Sequence, residues 1–191
     1  MGRHLEAGAG GAGSALFWAQ VVQRALTTAF TTLVVALFLA RRPRIGPGSS
    51  LPGTIAAFAG TFGVFVPAAA AVRVDSLPVL LASSVLVSVG AGWSVLSLAF
   101  LGRCFGLLPE ARGLVTRGPY RWVRHPVYLG EIVAALGLVV ASLSAPVFGL
   151  FVLWCGLQYW RARNEERALE TTFPGYAEYR ARTYRLFPGL H

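Results

Sequence analysis

The sequence predicts an all-α integral membrane protein with about five transmembrane helices. Of its 191 residues, 55% are hydrophobic and only 13% are charged, whereas soluble domains carry about 25% charged residues. The mean hydropathy is +0.59, and long apolar stretches alternate with short segments rich in arginine, glycine and proline. This balance excludes an ordinary soluble domain and also a disordered chain, which needs low hydrophobicity and high charge.

The first two parts of the chain contain little polar chemistry. Residues 1–14 are rich in glycine and alanine, which predicts a flexible N-terminal tail. Residues 15–76 hold the first two predicted spans, over 15–40 and 51–72. Arg24 interrupts the first span, and we expect its long side chain to extend toward one membrane face.

The third part, residues 77–191, contains every motif that indicates function. An uncharged run there includes Gly90 and Gly92, which we interpret as helix-packing glycines. Two shorter apolar runs are separated only by Leu143 and Ser144, which predicts a tight helical hairpin. In order, the part comprises a third span, a solvent-side loop, the two spans of the hairpin and a charged C-terminal segment: 77–101, 102–126, 127–142, 145–160 and 161–191.

The basic residues predict the orientation of the chain. All 17 are arginine, and with 8 acidic residues they give a formal net charge of +9. Five spans would bring residues 41–44, 102–126 and 161–191 to one side of the membrane, together with 14 of the 17 arginines. The positive-inside rule places that side in the cytoplasm. We therefore attribute the excess charge to topology, and we predict no nucleic-acid partner.

The densest group of candidate functional residues lies where the loop enters the fourth span. Pro126 suits the first turn of a helix, so the helix should begin near His125 and present free backbone N–H groups. With Arg124 beside it, such a helix end attracts carboxylates or phosphates, although these side chains could equally serve as interfacial anchors. Glu131 follows Tyr128 by one turn inside an apolar span. It is either a functional carboxylate or a first-turn residue that reaches water.

A second cluster begins at Arg161 and includes Glu165 one helical turn later. Spacing alone is typical of a solvated charged helix. Because the preceding hairpin is short, however, the cluster should emerge near the loop over residues 102–126, and the two charged segments could close over one pocket. The two cysteines, Cys104 and Cys155, belong to no Cys/His cluster, and we predict no metal site.

Four motifs in this order resemble the isoprenylcysteine carboxyl methyltransferase family and, more distantly, the membrane phospholipid N-methyltransferases. The resemblance covers about residues 88–188. Its most specific part is RHPxYxG followed by EExxL across a helical hairpin. The motifs are LVTxGxY over 114–120, RHPxYxG over 124–130, EExxL over 165–169, and FxGxxxY over 173–179 in a tail ending at Pro188.

The resemblance implies an integral membrane enzyme that methylates a lipid-borne group with S-adenosylmethionine. It implies that Arg161 faces the substrate and that Glu165 closes the cofactor pocket. Arg124 is a further candidate for binding the cofactor, because its positive charge lies beside the start of the fourth span. The residues expected to bind the cofactor are Arg112, Gly113, Leu114, Val115, Tyr120, Arg124, His125, Pro126, Val127, Tyr128 and Glu165.

The chemistry of the acceptor remains open at this point. A carboxylate is ionised at neutral pH, so it would need orientation by Arg161 but no general base. An amine must lose a proton, and Glu131 or His125 would then be the candidate base. We expect the partners to be membrane lipids and a lipidic or prenylated substrate from the bilayer, with the oligomeric state undetermined. Alternative functions are phospholipid N-methylation, an NADPH-dependent reduction of the sterol-reductase type, and a non-catalytic membrane scaffold.

Overall fold

The structure, a computed structural model, describes residues 3–45, 48–71 and 74–187, with side chains from residue 13 onward. Within these ranges the chain is helical and contains no strand, which confirms the predicted all-α class. The helices are α1 (Arg3–Ala40), α2 (Leu51–Phe62), α3 (Phe65–Ala70), α4 (Leu77–Leu101), α5 (Pro126–Ser142), α6 (Ala145–Thr172) and α7 (Tyr176–Ala181).

The chain is a membrane protein whose helices present apolar side chains outward. In the described ranges, three stretches are long and apolar enough to cross a bilayer: Gly13–Ala40, Leu51–Ala70 and Leu77–Cys104. Helix α5 is equally apolar but shorter, and α6 is apolar only in its first half. Leu39 and Leu153 are exposed, whereas Ser94 and Ser97 are buried, as expected where lipid replaces water. The predicted total of five spans stays a prediction.

Helices α4 and α5 approach each other at backbone distance through small residues. A Cβ atom on Gly130 would lie 2.2 Å from the Ser94 Oγ, and one on Gly90 would lie 2.4 Å from the backbone nitrogen of Ala134. Neither position accommodates a larger side chain, so the predicted packing role of Gly90 is confirmed. Gly92 faces open space and takes no part in this contact.

The second predicted span, 51–72, divides into α2 and α3. Pro67 has no N–H to donate to the carbonyl four residues earlier, that of Gly63, so the helix is interrupted at this point. The last turn of α2 is closed by the N–H of its C-cap residue, Gly63, which donates to the Ala59 carbonyl at 2.8 Å. Residues 72 and 73, at the predicted end of this span, lie outside the described residues.

Two terminal predictions differ from the structure. Within the predicted 1–14 tail, α1 already begins at Arg3, because propagating an existing helix costs far less than nucleating a new one. Residues 1 and 2 lie outside the described ranges. At the other end, the sequence after Pro174 and Gly175 predicts a short helix over 176–184, but α7 ends at Ala181, and Thr183 and Tyr184 lie outside it. Pro188 and the residues after it are not described.

Helix α6 is long enough to extend beyond the membrane. The hairpin turn consists of Leu143, with φ of 45°, and Ser144, as the sequence predicts. The 28 residues of α6 then include both the predicted span over 145–160 and the charged stretch after it. A helix of this length extends about 42 Å, so its charged turns project beyond a hydrocarbon core of about 30 Å.

Candidate functional site

The loop over 102–126 and the C-terminal segment are joined by backbone hydrogen bonds. Val123 and Tyr184 form a parallel β-bridge. The backbone N–H groups of Arg124 and His125 donate to the carbonyls of Tyr184 and Arg185 at 2.8 and 3.1 Å. These bonds hold the start of α5 against the C-terminal segment that follows α7.

One continuous cavity of about 590 Å³ extends from this junction into the helix bundle. One end, which we call the charged end, is lined by charged and aromatic side chains of the loop, α5 and α6. The other end, which we call the apolar end, is lined mainly by apolar side chains. The apolar end is formed by side chains from α1, α4 and α5: Phe30, Val34, Val87, Ala91 and Leu138. The cavity can therefore accommodate a polar group and an apolar chain at the same time.

Four side chains at the charged end, His125, Tyr128, Arg161 and Glu165, form what we call the cavity cluster. The His125 and Tyr128 rings stack with centroids 5.3 Å apart, and the Arg161 guanidinium carbon lies 4.4 Å from the Tyr128 ring centroid. The Tyr128 hydroxyl donates to the Glu165 carboxylate. Glu165 also lies 3.5 Å from the Arg161 Nε and 3.8 Å from the His125 Nδ1. The predicted neighbours Arg161 and Glu165 on α6 are therefore in contact. Tyr128 of α5 packs against both of them.

Arg161 retains unused hydrogen-bonding capacity inside the cavity. Its side chain is 4% exposed, and its Nε has no hydrogen-bond partner despite the nearby Glu165 carboxylate. The Nη2 makes only a long contact, 3.5 Å, with the Leu107 carbonyl. A buried guanidinium with free donors is suited to binding an acidic group.

Glu131 lies deeper in the same cavity wall, one turn beyond Tyr128. The Gln158 Nε2 on α6 donates to its Oε2 at 2.6 Å, and the Gln158 Oε1 is buried without a partner. Gln158 was not among the predicted site residues because a lone amide in an apolar run gives no sequence signal.

A second group of charges, which we call the buried ion cluster, consists of Arg124, Glu166 and Arg185. The Glu166 carboxylate lies 2.8 Å from the Arg124 Nε and 2.8 Å from the Arg185 Nη2, and His125 Nε2 is 3.3 Å away. Burial alone would raise the pKa of Glu166, but the hydrogen bonds from His125 and Arg185 outweigh it and hold the pKa well below its ordinary value. Glu166 is therefore ionised and paired in the folded protein.

Arg124 and Arg112 also hold backbone segments together. The Arg124 Nη1 donates to the carbonyls of Arg180 and Thr183, while its Nη2 is buried and has no partner. The Arg112 guanidinium donates to the Glu110 carboxylate at 2.6 Å and to the Arg42 carbonyl. Both arginines line the cavity, but most of their donors are used for structure.

The family model for phospholipid methyltransferases matches residues 78–175, which include α4, α5, α6 and the whole cavity cluster. The chain belongs to the phospholipid methyltransferase family. The eukaryotic intramembrane Ras methyltransferase ICMT, isoprenylcysteine carboxyl methyltransferase, has a similar fold, with a TM-score of 0.52 and 21% sequence identity over 72% of this chain and 52% of that one. The resemblance predicted from the motifs is thus confirmed at the level of family and fold.

Two curated relatives of this chain are named for metal resistance. The cobalt-zinc-cadmium resistance protein CzcN of Cupriavidus metallidurans is 38% identical over 99 residues, which is 49% of this chain and 46% of that protein. The nickel-cobalt-cadmium resistance protein NccN of Alcaligenes xylosoxydans xylosoxydans is 32% identical over 106 residues, or 55% and 46%. The match spans about half the length of these relatives. In the part of this chain that the structure describes, no three His, Cys, Asp or Glu side chains are grouped as metal ligands.

Of the residues predicted to bind the cofactor in this family member, only Pro126 does not line the cavity. Pro126 is buried as the first residue of α5, with His125 as the N-cap, so its role is to start the helix. The other predicted residues line the cavity together with Arg161 and Glu131: Arg112, Gly113, Leu114, Val115, Tyr120, Arg124, His125, Val127, Tyr128 and Glu165.

Two tyrosines of the C-terminal segment complete the charged end and were not among the predicted site residues. Tyr176 and Tyr179 line the cavity, and the Tyr176 hydroxyl is buried without a partner. The Tyr179 hydroxyl donates to the Tyr120 carbonyl at 2.7 Å. Burial raises the pKa of Tyr120, Tyr176 and Tyr179, so their hydroxyls stay protonated and can donate hydrogen bonds. The FxGxxxY motif was the available signal, since it contains Tyr179.

Proposed function

We propose that this chain is an S-adenosylmethionine-dependent membrane methyltransferase that methylates a lipid-borne carboxylate. The observation that supports this most directly is the buried Arg161, whose unpaired Nε lies in a cavity that has both a charged end and an apolar end. A water-soluble methyl donor and a lipidic acceptor can meet there from their respective phases. We further propose that the charged end faces the cytoplasm, in agreement with the arginine distribution.

The charged end has groups that fit a zwitterionic methyl donor. The unpartnered Arg124 Nη2 and Tyr176 hydroxyl are suited to its carboxylate, and Glu165 to its ammonium or ribose groups. Tyr120 and Tyr128 offer aromatic faces for the adenine or the sulfonium. When bound, S-adenosylmethionine supplies an electrophilic methyl group.

The acceptor carboxylate would be bound by Arg161. The guanidinium is held over the Tyr128 ring and beside Glu165, which restricts its rotation. Since a carboxylate is already ionised at neutral pH, the protein needs only to orient it and exclude water. Both requirements are met by a buried arginine with free donors.

N-methylation of a phospholipid amine is the second candidate. It is favoured by Glu131, a cavity-wall carboxylate whose Oε2 accepts from Gln158. Glu131 could take the proton that an ammonium must lose before it is methylated. The two candidates predict different products from the same cavity.

The deciding experiment uses the purified full chain, radiolabelled S-adenosylmethionine and a total lipid extract. A methyl ester is released by mild base, whereas a methylamine is not, so base-labile label that disappears in the Arg161→Ala variant supports carboxyl methylation. Base-stable label that disappears in Glu131→Gln supports N-methylation and contradicts the carboxylate proposal.

A thermal-shift comparison in detergent separates methyltransfer from the remaining alternatives. We expect S-adenosylhomocysteine to raise the melting temperature because it fills the charged end of the cavity. Stabilisation by NADPH alone would identify a reductase instead. No stabilisation by either molecule, together with unaltered behaviour of the Glu165→Ala variant, would indicate a non-catalytic scaffold.

A further inference from the structure

A polar notch lies between α1 and α4, away from the charged end of the cavity. Its volume is about 140 Å³. Five polar side chains line it together with apolar residues of α3, α4 and α5: Gln20, Gln23, Arg24, Ser83 and Ser84. Gln20, Gln23 and Arg24 are spaced to lie on one face of α1, which is otherwise an apolar helix.

None of these five side chains has a hydrogen-bond or ion-pair partner among the described residues. Ser83 and Ser84 are buried, at 7% and 5% exposure, whereas Gln20 and Gln23 are half-buried and Arg24 is exposed at the rim of the notch. Polar groups within a membrane span are expensive when unpaired and indicate a functional site by default. The notch is therefore better explained by a polar ligand group than by helix packing.

The notch adjoins the main cavity. Gln23 and Leu138 line both spaces. The charged end is level with Ser94, whose hydroxyl donates to the Val127 carbonyl at 3.2 Å. Ser83 precedes Ser94 by three helical turns, a distance of about 16 Å along α4. A long acyl chain whose first carboxylate is bound at Arg161 would reach the notch with its other end.

We propose that the notch binds a second carboxylate at the far end of the acceptor, so the substrate class is a long-chain dicarboxylate. This inference rests on the proposed carboxyl methylation. Arg24 would pair with the distal carboxylate, and the two glutamines and two serines would donate hydrogen bonds to it. An acceptor of this kind satisfies the polar groups that the helices leave unpaired.

The test compares hexadecanedioic acid with hexadecanoic acid, which differ only in the distal carboxylate. We expect wild-type protein to methylate the diacid with a KM about tenfold lower, since hydrogen bonds to a charged group are worth at least this factor. The Arg24→Leu variant should lose the difference while retaining its activity on the monoacid. Arg163→Leu removes an exposed arginine of α6 that lines neither space, and it should behave as wild type.

Chain length and binding provide independent readouts. Octanedioic acid is too short to reach the notch, so it should gain nothing from its second carboxylate. In thermal shifts, the long diacid should stabilise wild type more than the monoacid does, and Arg24→Leu should abolish that difference. Equal KM values and equal stabilisation for the two long acids would overturn the inference while leaving carboxyl methylation intact. Methylation of neither acid would contradict both.

Discussion

Glu165 and Glu166 are adjacent on α6, yet they belong to two clusters of opposite character. The Glu165 side chain is 22% exposed and lines the cavity, whereas the Glu166 side chain is 5% exposed and is saturated by arginines. Successive residues of a helix point about 100° apart, so one faces the cavity and the other the C-terminal segment. The comparison shows that two adjacent carboxylates differ in what surrounds them: Glu165 borders open space, whereas the oxygens of Glu166 are occupied by arginines.

The largest effect should come from breaking the buried ion cluster. Glu166→Ala leaves Arg124 and Arg185 buried without their counter-charge, which typically costs about 3–5 kcal/mol. We expect a large fall in melting temperature in detergent and detachment of the C-terminal segment, measured as proteolysis after α6.

Glu170→Ala is the matched control for that change. Glu170 also pairs with an arginine, Arg180, but both side chains are substantially exposed. Exposed pairs contribute about 0–1 kcal/mol, so the melting temperature should hardly change. Equal losses in Glu166→Ala and Glu170→Ala would contradict a structural role specific to the buried cluster.

The next largest effect should come from substituting Arg161, which we expect to lower activity strongly and stability only slightly. Arg161→Ala removes the proposed acceptor-binding group, and we expect methyl transfer to fall about 100-fold in kcat/KM. Because the Arg161 guanidinium makes only long contacts, 3.5 Å to Glu165 and 3.5 Å to the Leu107 carbonyl, the melting temperature should fall much less than in Glu166→Ala. Arg163→Ala, two residues along α6 and exposed, should retain full activity.

A smaller effect is expected at the aromatic residue of the cavity cluster. Tyr128→Phe keeps the ring that stacks on His125 but removes the hydroxyl that donates to Glu165. Loss of one hydrogen bond to a charged group should weaken S-adenosylhomocysteine binding about tenfold. Isothermal titration on the detergent-solubilised protein measures this directly. Unchanged binding would show that Glu165 is positioned without Tyr128.

The smallest expected effect is a pH dependence of stability that belongs to Glu166. Its folded-state pKa is lowered, so it stabilises the fold above its unfolded pKa of about 4.3, and this contribution is lost as the pH falls through the lower folded value. Melting temperatures of wild type should therefore decline below about pH 4.3 more steeply than those of Glu166→Gln. Parallel curves would contradict the pairing of Glu166 in the fold.

The sequence predicted the cavity cluster better than the buried ion cluster, for a physical reason. Arg161 and Glu165 are neighbours within one helix, and His125 and Tyr128 belong to one helix start, so local spacing brings each pair together. Arg124, Glu166 and Arg185 come from three separate segments. Their contact depends on how the C-terminal segment folds back, and local spacing contains no information about that.

The first two predicted spans show a similar difference. Their apolar length predicted membrane helices, and α1 together with the α2–α3 stretch fulfils it. That they form walls of the cavity, through residues such as Phe30 and Phe62, could not be predicted. The packing partner of an apolar helix in lipid is set by shape, and hydropathy does not encode shape.

By itself, the sequence determined that this is a helical membrane protein, where its apolar segments lie, and which motif residues flank the hairpin. Composition indicates that lipid surrounds most of the chain, and the length of the apolar runs predicts the helices, because both are local properties of the chain. Only the tertiary structure decided which guanidinium nitrogens are paired within the fold and which remain free donors. That distinction depends on which distant groups occupy each guanidinium, and it arises only when α5, α6 and the C-terminal segment close around the cavity.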